Sequence, residues 1–231
     1  MNFEKLFKHI SPEEIPADVF TLFGKIFPVV TVRKPESYNA MVASGGGMAV
    51  HFRKPATWLI FPSNRYTLEL IKKEQAYTLS FFSDSHREQC MFLGTKSGRE
   101  SNKMKEVELT AIETPLGNMS FEEARLIIEC RLTHVTTVNA DDFYAEDAKE
   151  YLAKAYTEPG EIRQYVFGEI TSVWLSKFPF VFLKPSKARF NEVRYGVKAY
   201  SENTLDAGAS GTPCGRFASA RAWLQCTQLK G

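Results

Sequence analysis

The chain has 231 residues, 44% of them hydrophobic and 13% aromatic. That is enough apolar material for one large domain or two small ones. A formal net charge of +2 is too small to argue for nucleic acid or an anionic membrane as a partner.

In chain order, Ser11-Pro12-Glu13-Glu14 reads as a helix start. Ser11 can cap, Pro12 suits the first helical position and Glu14 can return the capping-box bond. The helix is expected to reach Phe23, with Phe20 and Phe23 on one face. Phe27 to Arg33, Asn39 to Ser44, Met48 to Phe52 and Ala56 to Phe61 read as strands, the last two hinged at Lys54-Pro55. Thr67 to Lys73 suits a helix, Ala76 to Phe82 a strand, and Asp84 to Phe92 a short helix capped by Asp84 or Ser85. In Arg125 to Val138, Leu126, Ile128, Cys130 and Leu132 fall on one side and Ile127, Glu129 and Arg131 on the other, which predicts a long strand. Ala145 to Ala155 reads as a charged helix and Arg163 to Leu175 as a last strand. Many strands with a few interspersed helices predict a mainly β fold with helical insertions, an antiparallel barrel and not a doubly wound parallel sheet. From about Lys177 the character changes. Small residues and glycines dominate Ser201 to Arg221, and weak order is expected there.

No apolar run is long enough to span a bilayer. Met1 to Ile10 carries charges where a signal peptide needs an unbroken apolar centre. A cytoplasmic protein is expected. Cys90, Cys130, Cys214 and Cys226 form no C-x-x-C pair and show no metal-ligand spacing with the histidines. Free thiols and no metal follow, with Cys130 buried and inert. His51, His86 and His134 read as ordinary surface or strand residues.

Two segments look built to hold an anionic oxygen. Arg65-Tyr66-Thr67 places a guanidinium, a phenol and a hydroxyl where a strand opens into a helix. Ser97, Gly98, Arg99 and Lys103 sit on one loop about thirty residues later. Phosphate is the commonest such ligand. Upstream, Ser44-Gly45-Gly46-Gly47 lets backbone approach a flat ligand. Read alone, these are also a solvated arginine before a helix cap, a polar loop and a flexible turn.

Taken in order, these motifs resemble the flavin reductase-like family of FMN-binding split β-barrels, in its flavoredoxin-like branch. The matching run is Ser37-Tyr38-Asn39-Ala40-Met41, Lys54-Pro55, Arg65-Tyr66-Thr67, Leu93 to Arg99 with Lys103, Glu123-Ala124-Arg125 to Glu129-Cys130, and Gly168-Glu169-Ile170. The resemblance implies an FMN-binding split β-barrel over residues 1–176, with 177–231 an unassigned extension. It implies non-covalent FMN held by Asn39, Met41, Ser44, Gly45, Lys54, Arg65, Tyr66, Thr67, Ser97, Gly98, Arg99 and Lys103. In the family, the segment of Asn39, Met41 and Ser44 runs along the isoalloxazine. The resemblance further implies hydride transfer from NADH or NADPH to the flavin, electrons passed to free flavin or a protein acceptor, and a homodimer with the flavin near its interface. No protein group is required as acid or base, because the flavin carries the chemistry.

Two departures matter. Val42 stands where family members often have Thr, and Arg163 where many reductases of this fold have His. Arginine cannot accept a proton at pH 7. An FMN-bearing electron carrier with little nicotinamide activity is therefore an alternative. A cofactor-free β-barrel binding an anionic ligand is another.

Overall fold

The structure, a computed structural model, describes residues 2–34, 37–100, 102–155 and 162–178. All fall within the first of two compact units, residues 1–197. The reading of Ser201 onward, with Cys214 and Cys226, lies outside the described residues.

The chain opens with a short helix α1 (Phe3–Leu6) and strand β1 (Phe7–Ile10). A single 3-10 turn at Pro12–Glu14 follows, and then helix α2 (Val19–Thr21), which widens into a π-helical segment at Leu22–Ile26. Strands β2 (Val29–Lys34), β3 (Ser37–Val42), β4 (Gly46–His51) and β5 (Lys54–Pro62) lead to helix α3 (Tyr66–Glu74). Strand β6 (Ala76–Phe81) and helices α4 (Arg87–Thr95) and α5 (Lys103–Glu106) come next. The chain then runs through a small hairpin, β7 (Ala111–Glu113) and β8 (Met119–Phe121). The long strands β9 (Leu126–Thr137) and β10 (Arg163–Ser176) flank helix α6 (Glu146–Ala155).

All pairings are antiparallel, in the order β3-β2-β6-β9-β10-β5-β4, with β1 added on β10. The two edge strands, β3 and β4, are consecutive in the chain and joined only by Ala43 to Gly45. Their ends are therefore neighbours, and the sheet curls into a barrel that stays split along this seam. The mainly β, antiparallel reading holds.

Strand β9 explains why there are two cores. Its first five residues are all buried. Leu126, Ile128 and Cys130 face the barrel interior with Leu59, Phe61, Leu79 and Val166. Ile127, on the other face, packs with Phe7, Val29, Leu93 and Phe121 under the hairpin and the N-terminus. Glu129 shares that second face and has no solvent exposure. Its Oε2 accepts from Thr114 Oγ1 and Asn118 Nδ2, both at 2.7 Å, and its Oε1 accepts from Trp174 Nε1 at 2.6 Å. Cys130 is buried as read. Burial pushes its thiol up to about 12, which makes it unreactive.

Several local expectations are corrected. Glu14 Oε2 accepts from Ser11 N at 2.8 Å, but only one 3-10 turn follows. Phe20 is 82% exposed while Phe23 is buried. The π segment turns less per residue than an α-helix, so the two rings do not share a face. The β4–β5 turn is Phe52-Arg53, both at positive φ, and not Lys54-Pro55. Pro55 is inside β5, one residue beyond the last pairing with β10 at Ala56, so its missing N–H breaks no ladder there. β1, β7 and β8 are too short to show a strand pattern in the sequence.

Replacing Glu129 by alanine is expected to lower stability by about 3 kcal/mol, because it strands buried donors on three side chains. Chemical denaturation of the variant checks this. A midpoint equal to the wild type's would show that the cluster contributes nothing.

Candidate functional site

Arg65 stands between β5 and α3, with extended backbone. Its carbonyl accepts from Leu68 N at 3.0 Å and starts the helix. Leu68, Leu70 and Ile71 form the buried face of α3, which packs on β2. Burial of that face points Thr67 inward as well. Thr67 Oγ1 accepts from Asn39 Nδ2 of β3 at 2.8 Å, and both residues are buried. Arg65 itself is exposed.

The loop between α4 and α5 closes over this point. A side chain at Gly98 would overlap Asn39 Oδ1 and touch Tyr66, so only glycine lets the loop lie so close. The Arg99 guanidinium sits 5.2 Å from the centre of the Tyr66 ring. It also pairs with Glu69 and donates to the Asn64 carbonyl at 3.3 Å. Ser97 Oγ accepts from Arg99 N at 3.3 Å and shapes the turn. A cavity of about 310 Å³ remains, lined by Tyr38, Asn39, Gly98, Arg99, Asn102 and Lys103 among others.

Lys103 is 2% exposed. Its ammonium donates to the Leu93 and Lys96 carbonyls at 3.0 and 2.8 Å, capping the C-terminus of α4. An ammonium has three donors, so one remains for the cavity. Burial first, and then the nearby Arg65, lower its pKa to about 8. Among the described residues, neither Arg65 nor Lys103 is paired with a carboxylate. Burial raises the Tyr38 phenol above its ordinary range, with a smaller push from Glu123, so it keeps its proton.

The structure thus brings together Asn39, Arg65, Tyr66, Thr67, Ser97, Gly98, Arg99 and Lys103. Met41 lies two residues further along β3, about 7 Å from Asn39 at strand spacing, half-buried against the barrel core. Exposed Ser44 is the middle residue of the link to β4. The space of the missing side chain at Gly45 is taken by Ile60, and at Gly47 by the Trp58 indole. These glycines seat side chains of β5. Lys54 is not with the others. It opens β5, while Arg65 follows the far end of that strand, about 27 Å away at strand spacing. Its ammonium pairs with Glu169 at 2.8 Å, and Glu169 is also held by Arg131. Arg163 lines a different cavity, of about 460 Å³, with Val138, Leu152 and Ile162. The structure adds Tyr38 and Asn102 on the cavity wall and Glu69 on Arg99. Tyr38 adjoins Asn39 in sequence, which was the available signal; nothing local links Glu69 to Arg99.

Among the described residues no group of His, Cys, Asp and Glu could hold a metal, and no helix is long and apolar enough to cross a membrane. His51 stacks on Phe167 at 4.7 Å, and His86 bonds Ser85 at 3.1 Å.

Lys103 ties stability to pH. Its folded pKa of about 8 lies below the ordinary 10.5, so between these values the unfolded chain binds more protons. Unfolding free energy from this group therefore rises with pH from about 8 to 10.5. Denaturant melts across that window should show the rise in the wild-type protein, and Lys103→Met should lose it.

Residues 21–183 match the model of the flavin reductase like domain. Solved structures with the same fold include an FMN-binding protein from Thermus thermophilus with bound p-hydroxybenzaldehyde. It is 20% identical, with a TM-score of 0.53 over 74% of this chain and 82% of that one. Flavoredoxin from Methanosarcina acetivorans is 14% identical, with a TM-score of 0.51 over 67% of this chain and 70% of that one. A putative flavin reductase with a split barrel domain from Shewanella frigidimarina is 16% identical, with a TM-score of 0.51 over 74% of this chain and 81% of that one. No curated protein matches the chain. Since the family match spans most of the sequence, the chain belongs to the flavin reductase-like family.

Proposed function

We propose that this protein binds FMN non-covalently and works as an NADH- or NADPH-dependent flavin reductase that passes electrons to free flavin or a protein acceptor. One observation carries the FMN reading. Lys103 is buried on the wall of a cavity that Asn39, Gly98 and Arg99 also line, with Arg65 near it at the start of α3, and neither Arg65 nor Lys103 has a carboxylate partner among the described residues. Such an arrangement favours an anion, and a phosphate monoester supplies up to two negative charges. Arg65, the free Lys103 N–H and the start of α3 would hold the phosphate. The row from Asn39 past Met41 to Ser44 and Gly45 would flank the ring. Bound FMN would supply hydride acceptance, and the chain's own residues bind and orient it.

The electron-carrier reading is favoured by Arg163. A reductase of this fold that uses a histidine there has a proton-handling group that this chain lacks.

We also propose a homodimer. The outer face carries Trp58 against Tyr165 and His51 against Phe167. Val50 and Phe52 are 79% and 81% exposed on the β4–β5 hairpin, a rim that a second copy would cover. Light scattering at micromolar protein should give twice the chain mass; a monomer that retains its flavin would contradict this.

The purified protein is expected to be yellow and to release FMN on heating. Recovery of FAD, or of no flavin, would reject the FMN reading and leave a cofactor-free binding module. Anaerobic NADH or NADPH should bleach it; a flavin that stays oxidised favours the carrier. Arg65→Ala should weaken FMN by about 1.5–3 kcal/mol and leave riboflavin affinity unchanged, as followed by flavin fluorescence.

A further inference from the structure

We propose that Glu69 sets the selectivity of this site for phosphorylated over unphosphorylated flavin, because it competes with the phosphate for Arg99. The proposal rests on the FMN reading. Arg99 lines the cavity that holds Lys103. Its guanidinium is turned to Glu69 in the first turn of α3 and is steadied by the Asn64 carbonyl and the Tyr66 ring. The two side chains of the pair are 41% and 56% exposed. An ion pair in that much water is weakly held. A phosphate dianion offers the same planar fork two charges and several acceptors.

Glu69 also places a negative charge beside the helix start that faces the phosphate, where the α3 dipole favours anions. Surrendering Arg99 costs little, since the freed carboxylate is already largely hydrated. Riboflavin has no phosphate and leaves the pair intact. Glu69 therefore weakens only the phosphate-dependent part of binding. A second carboxylate, Glu100, lies on the cavity rim, exposed and without an ion-pair partner among the described residues. It serves as the control for simple charge removal.

The test is titration of apoprotein with FMN, riboflavin and inorganic phosphate at low salt, using flavin fluorescence and calorimetry. Glu69→Gln should bind FMN about two- to fivefold more tightly, the equivalent of an exposed ion pair. It should also bind inorganic phosphate more tightly and riboflavin as the wild type does. Glu100→Gln should give a smaller gain, and the Glu69→Gln gain should vanish in an Arg99→Met background. The proposal is overturned if Glu69→Gln binds FMN no more tightly than the wild type, if FMN and riboflavin gain alike, or if the gain survives without Arg99. A wild-type protein that binds neither FMN nor phosphate overturns the FMN reading and this proposal together. FMN binding without the Glu69 effect overturns this proposal alone.

Discussion

The carboxyl group of Glu129 is the constraint around which the rest is arranged. Taking such a group wholly out of water costs several kcal/mol unless hydrogen bonds replace the lost solvent. Three side chains supply them, and they come from separate places: Thr114 and Asn118 from the β7–β8 turn, and Trp174 from the far end of β10. The hairpin is fixed further by Thr78 Oγ1 donating to the Met119 carbonyl at 2.7 Å and by the buried Ser80–Ser120 contact at 2.8 Å. These bonds roof the second core, and that core seats Leu93 and with it helix α4. The C-terminus of α4 is where Lys103 anchors its loop. A polar residue in the sheet is thus connected, through packing, to the loop above Asn39.

The site is electrostatically lopsided. Arg65, Arg99 and Lys103 converge near the start of α3, and only Arg99 has a carboxylate partner among the described residues. Lys103 avoids an uncompensated buried charge by donating to two carbonyls at a helix end, where the backbone dipoles are negative. Backbone oxygens compensate it only partly.

Much of the barrel was legible because half-buried strands write their alternation into the sequence. β9 is the clearest case: residues 126–132 alternate between its two faces, although nothing in the sequence marks the second face, including Glu129, as buried. What could not be read depends on distant partners. β1 has no alternating pattern and is a strand because β10 offers it an edge at Val173 to Ser176. Phe52 and Arg53 are poor residues for positive φ and hold it because the β4–β5 ladder closes on both sides. In the site, the residue types at 65, 67, 98 and 103 pointed to one place and do meet there. The pairing of Arg99 with Glu69, the carbonyls that hold Lys103 and the capture of Lys54 by Glu169 all arise from tertiary approach. No local spacing encodes them.

The first strand pairs with the last, Phe7 with Ser176 and Ile10 with Val173, and Phe3 meets the Trp174 ring edge-on at 5.1 Å. A ribosome releases the chain from its N-terminus, so β1 emerges long before its partner exists. Closing so large a loop is also entropically slow. Through most of synthesis, Phe3, Leu6 and Phe7 have no β10 to cover them. The apolar side of α1 and β1 therefore stays without this cover until β10 has been made. Pairing of that uncovered strand with the β10 of a neighbouring copy would give a strand-swapped assembly in place of a closed barrel.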